Sequence, residues 1–281
     1  MSFRLANVHG RAALVDGDHY HDIAATSTAP ERTIGPDPMD AIAHCAALHE
    51  LAGRLGDLEP TGALADVTLG PPVPRPRNSF GIGLNYRAHA EESGRDLPPN
   101  PVVFAKYPSC IAGPTAEVEL RSNAADYEAE LVVVIGTAGR DIAAADAWDH
   151  VAGVTCGQDI SDRKVQFAAE PPHFGLGKSR DGYGPIGPVL VSPDALADRD
   201  ALAITCDVNG ERRQDGNTSD LIFDVPALIE YISGILTLAP GDLIFTGTPE
   251  GVGAAQGKFL TPGDVITTTI DGVGTMTNTC R

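Results

Sequence analysis

The sequence predicts an α+β protein in which strands dominate, made of a large strand-rich body and a smaller N-terminal α+β cap. Three observations point there. Short apolar, β-prone runs recur from Asn78 onward with few helical stretches between them, which argues against a doubly wound parallel sheet. The chain has 281 residues and 42% hydrophobic content, enough to bury a large core either as one domain or as a small domain beside a main one. The segment Gly70-Pro71-Pro72-Val73-Pro74-Arg75-Pro76-Arg77-Asn78 can continue neither a helix nor a central strand. The boundary is therefore placed there, giving a cap of residues 1–72 and a main domain of residues 73–281.

In the cap, two β-like runs, Phe3 to Val8 and Ala12 to Val15, flank a turn and lead into a polar stretch that ends in Gly35-Pro36-Asp37-Pro38. Ala41, Cys45, Leu48, Ala52 and Leu55 then recur at spacings of four and three, the stripe of an amphipathic helix that stops at Gly56. His19-Tyr20-His21 has the alternation of a metal-binding strand, and a solvated pair is the simpler account. In the main domain, strands are expected at Ile82, Val102 to Phe104, Leu131 to Ile135, Val189 to Val191, Ile204 to Val208, Leu243 to Phe245 and Val265 to Ile270. Helical stripes occur at Ala143 to His150 and Val225 to Leu238. Pro-Gly-Asp at 240–242 and again at 262–264 marks turns rather than a repeat, because the flanks do not match.

Charge narrows the function. With 20 basic against 38 acidic residues the formal net charge is −18, which disfavours nucleic acid and anionic membranes as partners. An anionic substrate would need local cations to approach. The five cysteines are scattered and form no Cys-x-x-Cys pair, so reduced buried thiols are expected rather than a disulfide framework or a thiolate metal site. Neither a signal peptide nor an apolar run long enough to span a membrane is evident, and the expectation is a cytoplasmic protein.

The most informative feature is Glu128-Ala129-Glu130 at the start of Leu131-Val132-Val133-Val134-Ile135-Gly136. Side chains alternate along a strand, so the two carboxylates point the same way while the apolar run marks a buried strand. Adjacent like charges need a cation. A third carboxylate, Asp159, ends the β-prone run Val154-Thr155-Cys156-Gly157-Gln158 in a polar turn. Three carboxylates suit Mg²⁺ or Mn²⁺ with positions left for water or substrate, and suit Zn²⁺ poorly.

Two glycine-rich segments invite nucleotide readings that fail. Gly81-Ile82-Gly83-Leu84-Asn85-Tyr86 lacks the third glycine and the acidic partner of a dinucleotide site, and Gly175-Leu176-Gly177-Lys178-Ser179 lacks the spacing of a phosphate loop. What remains is His89 with Glu92 at i+3, where the carboxylate can hold and polarise the imidazole, and Lys178 as a cation beside a substrate oxyanion.

Together these motifs resemble the fumarylacetoacetate hydrolase family, in its branch of small bacterial acylpyruvate and diketo-acid hydrolases, isomerases and decarboxylases. The resemblance runs from about Phe80 to Gly274 through Gly-Leu-Asn-Tyr-x-x-His-x-x-Glu at 83–92, Phe104-Ala105-Lys106, Asp126-Tyr127-Glu128-Ala129-Glu130-Leu131, Gly157-Gln158-Asp159-Ile160-Ser161, Gly177-Lys178-Ser179, Asn209-Gly210 and Thr246-Gly247-Thr248-Pro249-Glu250-Gly251. It implies a mixed, mainly β roll, a homodimer, and one Mg²⁺ or Mn²⁺ per subunit held by Glu128, Glu130 and Asp159. It also implies substrate contacts from Tyr86, Lys106, Arg163, Gln166 and Thr248.

On this reading a 2,4-diketo acid is cleaved at a carbon–carbon bond. His89, oriented by Glu92, takes a proton from water, and Lys178 meets the charge of the departing enolate. Decarboxylation of an oxaloacetate-type acid or isomerisation of an unsaturated dioate stays open on the same residues. A non-catalytic protein binding metal or organic acid is a third reading, though binding alone requires no base. Two departures bear on the substrate. Asp162 and Lys164 alter the charges around the third ligand, and Arg180 replaces a common aromatic residue, which would favour a second carboxylate or a polyhydroxylated acid.

Overall fold

The run Leu131 to Ile135 is apolar without alternation because both of its faces are buried. In the computed structural model, which describes residues 1–26 and 34–281, it forms the strand Ala129–Ile135 at the centre of a large mixed sheet. Part of the polar stretch expected before Gly35 lies outside the described residues. Ala129, Leu131, Val133 and Ile135 enter one apolar cluster with Tyr127, Val154, Ile204 and Leu228. Val132 and Val134 enter the other, with Leu5, Leu14, Ile42, Leu48 and Phe245. One strand thus divides two cores.

Its neighbours set the topology. Val151–Gln158 and Leu243–Phe245 pair with it antiparallel, and Leu243–Phe245 pairs parallel with Ser79–Gly83, which pairs antiparallel with Val102–Ala105. On the other side Val151–Gln158 pairs with Gly184–Val191, which pairs in turn with the N-terminal strand Arg4–Val8 through Arg4↔Val191 and Leu5↔Leu190. Arg11–Asp16 and His19–Asp22 extend the sheet beyond it. A separate sheet of Ala203–Val208, Glu211–Asn217, Val265–Ile270 and Gly274–Thr279 packs against the first cluster through Ile204, Cys206, Ile266 and Ile270. The architecture is the expected strand-dominated α+β fold, and each predicted main-domain strand is present.

The helices depart from expectation in detail. The single stripe predicted over Ala41 to Leu55 is broken into Pro38–Ile42 and Cys45–Ala52, followed by a short 3₁₀ turn at Leu55–Asp57. Asp37 caps the first helix by accepting from the Met39 N–H. The break follows from His44, whose Nδ1 lies 2.8 Å from the Asp40 carbonyl and takes the place of a continuing backbone bond there. Ala144–His150 is a 3₁₀ helix, and Val225–Ser233 is an α-helix capped by Asp224.

Candidate active site

The carboxylates project where the central strand leaves the sheet. Ala125–Asp126 pairs with Ser161–Asp162, and the backbone is irregular at Tyr127 and Glu128 before Ala129–Ile135 begins. Buried N–H groups at such an interruption need partners. Those of Glu128 and Ala129 donate to the side-chain carbonyls of Gln158 and Gln214, each at 2.9 Å. The Asp159 N–H donates to the Glu128 carbonyl at 2.9 Å, which brings the third carboxylate beside the first two. Glu128, Glu130 and Asp159 are all buried, and one oxygen from each lies within 4.8 Å of the others.

Cations and N–H groups surround this cluster. Lys178 Nζ donates to Glu128 at 2.6 Å, Asp159 at 2.8 Å and the Ser161 hydroxyl at 2.8 Å. Lys106 Nζ donates to Asp159 at 2.6 Å and to the carbonyls of Lys178 and Tyr183. Arg163 donates to Glu128 at 2.6 Å and through two nitrogens to Asp126, at 2.8 and 2.7 Å. Glu130 receives the Gly247 N–H at 2.8 Å. Gly247 has φ +102°, and a side chain there would set its Cβ 2.8 Å from that of Asn85, so only glycine fits. Gly177, just before Lys178, lies so close to the Arg163–Gln166 helix that a Cβ would come 2.8 Å from the Gln166 nitrogen.

The two glutamates differ in protonation. Burial would raise the Glu128 carboxyl, but Lys178, Arg163 and His89 outweigh it and bring it down to about 2. Glu130 is pushed well above the ordinary carboxylate range by burial first, then by the charges of Asp159 and Glu128. Asp126, Glu128, Glu130 and Asp159 against Lys106, Arg163 and Lys178 leave one negative charge if all are ionised. Hard oxygen donors, mutual proximity and this residual charge fit a divalent cation at Glu128, Glu130 and Asp159.

Beside the cluster is a cavity of ≈ 320 Å³ lined by Glu128, Arg163, Gln166, Lys178 and Thr248 on one side and by His89 and Glu92 on another. His89 and Glu92 lie on the short helix Arg87–Glu92, with His89 Nδ1 2.8 Å from Glu92 Oε1. Glu92 also accepts the Gly251 N–H, at 3.0 and 3.1 Å to its two oxygens, tying this helix to the 246–253 loop. Thr248 donates to the Ala129 carbonyl and accepts from Gln214. Gln166 accepts from Arg163 at 2.9 Å.

Three residues singled out in the sequence lie apart from the cavity lining. Lys106 is buried behind Asp159. Tyr86 is buried, its hydroxyl has no hydrogen-bond partner, and burial followed by the charge of Glu130 raises its pKa. Arg180 turns to Asp162, donating at 3.0 and 2.8 Å. Asp126 was missed as a functional residue. Buried and in step with Glu128 and Glu130, it anchors Arg163 and accepts the N–H groups of Gly253 and Ala254 at 2.7 and 3.0 Å. The same alternation that picked out the other two reaches it. Phe104 and Phe174, packed edge-to-face with centroids 5.5 Å apart, complete an apolar wall with Ile82.

A family model described as fumarylacetoacetate (FAA) hydrolase C-terminal matches residues 78–281. The chain belongs to the fumarylacetoacetate hydrolase family. It is 44% identical over 224 residues to oxaloacetate tautomerase YisK of Bacillus subtilis, spanning 77% of this chain and 74% of that protein. A crystal structure from Mycobacterium smegmatis is 46% identical with a TM-score of 0.91, covering 99% of this chain and 98% of the other. Maleylpyruvate hydrolase from Sphingobium sp. SYK-6, solved with manganese(II) and pyruvate, is 33% identical with a TM-score of 0.82 and covers 99% and 98%. The fumarylacetoacetate hydrolase family thus includes tautomerases and hydrolases among this chain's relatives, and the buried acidic group here is consistent with a divalent metal. Among the described residues no helix is long and apolar enough to cross a membrane.

Proposed function

We propose that this enzyme interconverts the keto and enol forms of a small 2-keto acid of the oxaloacetate type. The observation that carries the reading is the His89–Glu92 pair facing the same cavity as Glu128 and Lys178. A divalent cation at Glu128, Glu130 and Asp159, Mg²⁺ or Mn²⁺, would act as a Lewis acid on the substrate's keto group.

The chain's own residues supply the proton chemistry. His89 donates its Nδ1 proton to Glu92, so Nε2 is the free acceptor that removes a proton from the carbon beside the carbonyl. The Gly251 N–H is shared by both Glu92 oxygens, so the pair keeps one orientation during transfer. As the carbon–hydrogen bond breaks, negative charge develops on the keto oxygen, and the prepositioned ammonium of Lys178 offsets it. His89 then returns the proton to that oxygen, giving the enol, and the reverse sequence gives the keto acid. Arg163, held by Asp126 and Glu128, and Thr248 and Gln166 in the lining, orient the substrate carboxylate. The Phe104 and Phe174 rings limit water around the reacting carbon.

Carbon–carbon hydrolysis of an acylpyruvate is a second reading, supported by the likeness to maleylpyruvate hydrolase. There His89 would deprotonate water instead of carbon. The separating experiment follows the ultraviolet absorbance of enol-oxaloacetate and of acetylpyruvate with purified protein and Mg²⁺ or Mn²⁺. Accelerated enol loss with oxaloacetate intact as its keto form supports tautomerisation. Acetate and pyruvate from acetylpyruvate, with no effect on enol-oxaloacetate, would replace it with hydrolysis.

A further inference from the structure

Resting on the keto-acid reading above, we infer that Arg95 is the specificity-determining cation for a second, distal substrate carboxylate, so that the enzyme selects dianionic over monoanionic keto acids. Arg95 is exposed and lines the same cavity as Glu128, Lys178 and His89. The other two fixed cations in that lining are held in the acidic cluster, Arg163 by Asp126 and Glu128 and Lys178 by Glu128, Asp159 and Ser161, where they serve the first carboxylate and the keto oxygen. Among the described residues the Arg95 guanidinium has no carboxylate or hydrogen-bond partner. It is a free cation at the edge of a filled network.

Its backbone is nevertheless fixed. The Arg95 N–H donates to the Ala90 carbonyl at 3.0 Å, the Gly94 N–H donates to Glu91 at 3.0 Å, and Gly94 has φ +62°. This pattern closes the C-terminus of the helix that carries His89 and Glu92, so Arg95 has a set position relative to the proton-transfer pair. Charge balance gives the same assignment. A divalent ion at the acidic cluster turns its residual charge from one negative to one positive, which one carboxylate neutralises. Among the described residues lining the cavity, where Glu92 is held by His89 and Gly251, Arg95 is the cation left for a second carboxylate, on a protein whose net charge of −18 otherwise repels it.

A distal contact of this kind is made equally in the ground and transition states, so it acts on KM rather than kcat. The test compares oxaloacetate with its 4-methyl ester, which keeps the size and removes the distal charge, in wild type, Arg95→Gln and Arg95→Lys. Calorimetric titration with malate and its 4-methyl ester, which do not tautomerise, supplies a binding readout. The expected result is a KM for oxaloacetate raised about tenfold in Arg95→Gln, as for loss of one charge-assisted hydrogen bond. Its kcat and the ester kinetics stay unchanged, Arg95→Lys recovers part of the loss, malate binding weakens in parallel, and the preference shrinks at high salt. Equal responses of diacid and ester to Arg95→Gln, or no response of either, overturn the assignment of Arg95 while leaving the keto-acid reading standing. No turnover of either compound by wild type overturns both.

Discussion

Glu130 gives the sharpest test of the acidic cluster, because the residue that completes a cation site should weaken the protein when the cation is removed. Unit charges at 4.8 Å, the outer limit of the separations among these carboxylate oxygens, repel by about 3.5 kcal/mol at an effective dielectric near 20. Glu130 meets two such neighbours, Glu128 and Asp159, while Lys178 pulls the other way. With roughly one repulsion cancelled by that cation, the repulsive part of the cost of ionising Glu130 is about 3 kcal/mol, and burial adds to it. Its folded pKa lies above the unfolded value, so its contribution to stability is full below the unfolded pKa and is lost as pH rises through the folded one. Glu130→Gln removes the titration and keeps the shape and the bond from Gly247. Metal-free Glu130→Gln should therefore match wild type near pH 4.5 and gain on it as pH rises, by about 3 kcal/mol or more, which is at least roughly 6 °C in Tm for a domain of this size. Thermal unfolding of chelator-treated proteins across pH reads this directly. Adding Mn²⁺ should raise the Tm of wild type and leave the variant nearly unmoved. A metal-free variant that falls further below wild type as pH rises would mean that the Glu130 carboxylate is stabilised rather than repelled in the empty site.

Other outcomes follow from the same network. Because Glu130 must lose its proton to take part in coordination, Mn²⁺ affinity should rise with pH and binding should release up to one proton per ion, measurable by calorimetry in buffers of different ionisation enthalpy; uptake of a proton would contradict this. Lys178→Met should lower kcat by about 10²–10³. It should also raise the Glu128 carboxyl from about 2, so that stability present above its unfolded pKa is lost at higher pH on acidification than in wild type, as acid titration of the fold would report. Arg180→Ala should change kcat/KM by less than about threefold, since its guanidinium reaches Asp162 and its partly exposed pair contributes only about 0–1 kcal/mol; steady-state kinetics on a diacid would expose a larger role.

How far the site could be read in advance depended on whether its parts share one strand. Glu128 and Glu130 were legible from alternation alone, and Asp159 from the β-run that it ends. Asp126 obeys the same alternation, but an interruption at Tyr127 and Glu128 separates it from the apolar run, so a pattern anchored on that run stops short of it. Lys178 and Lys106 were visible as cations in motifs. That one lines the cavity and the other lies behind Asp159 depends on strands far apart in sequence. Arg180 illustrates the same limit, since its partner Asp162 was noted only as a change in local charge. Phe104 and Phe174 meet across 70 positions, a contact that no local pattern encodes. In the fold, Leu131 to Ile135 specified its strand because both of its faces are buried, whereas Ala203–Val208 and Val265–Ile270 alternate as half-buried strands do. The cap helix broke because one histidine side chain competes for a backbone carbonyl, an effect that hydrophobic periodicity does not register.

The most direct test of the account is deuterium incorporation at carbon 3 of oxaloacetate in D₂O with Mn²⁺-loaded protein, comparing wild type with His89→Gln by proton magnetic resonance. Wild type should exchange rapidly, and a folded, metal-binding His89→Gln variant should exchange only at the spontaneous rate. Wild-type exchange rates in that variant would contradict the assignment of His89 as the base.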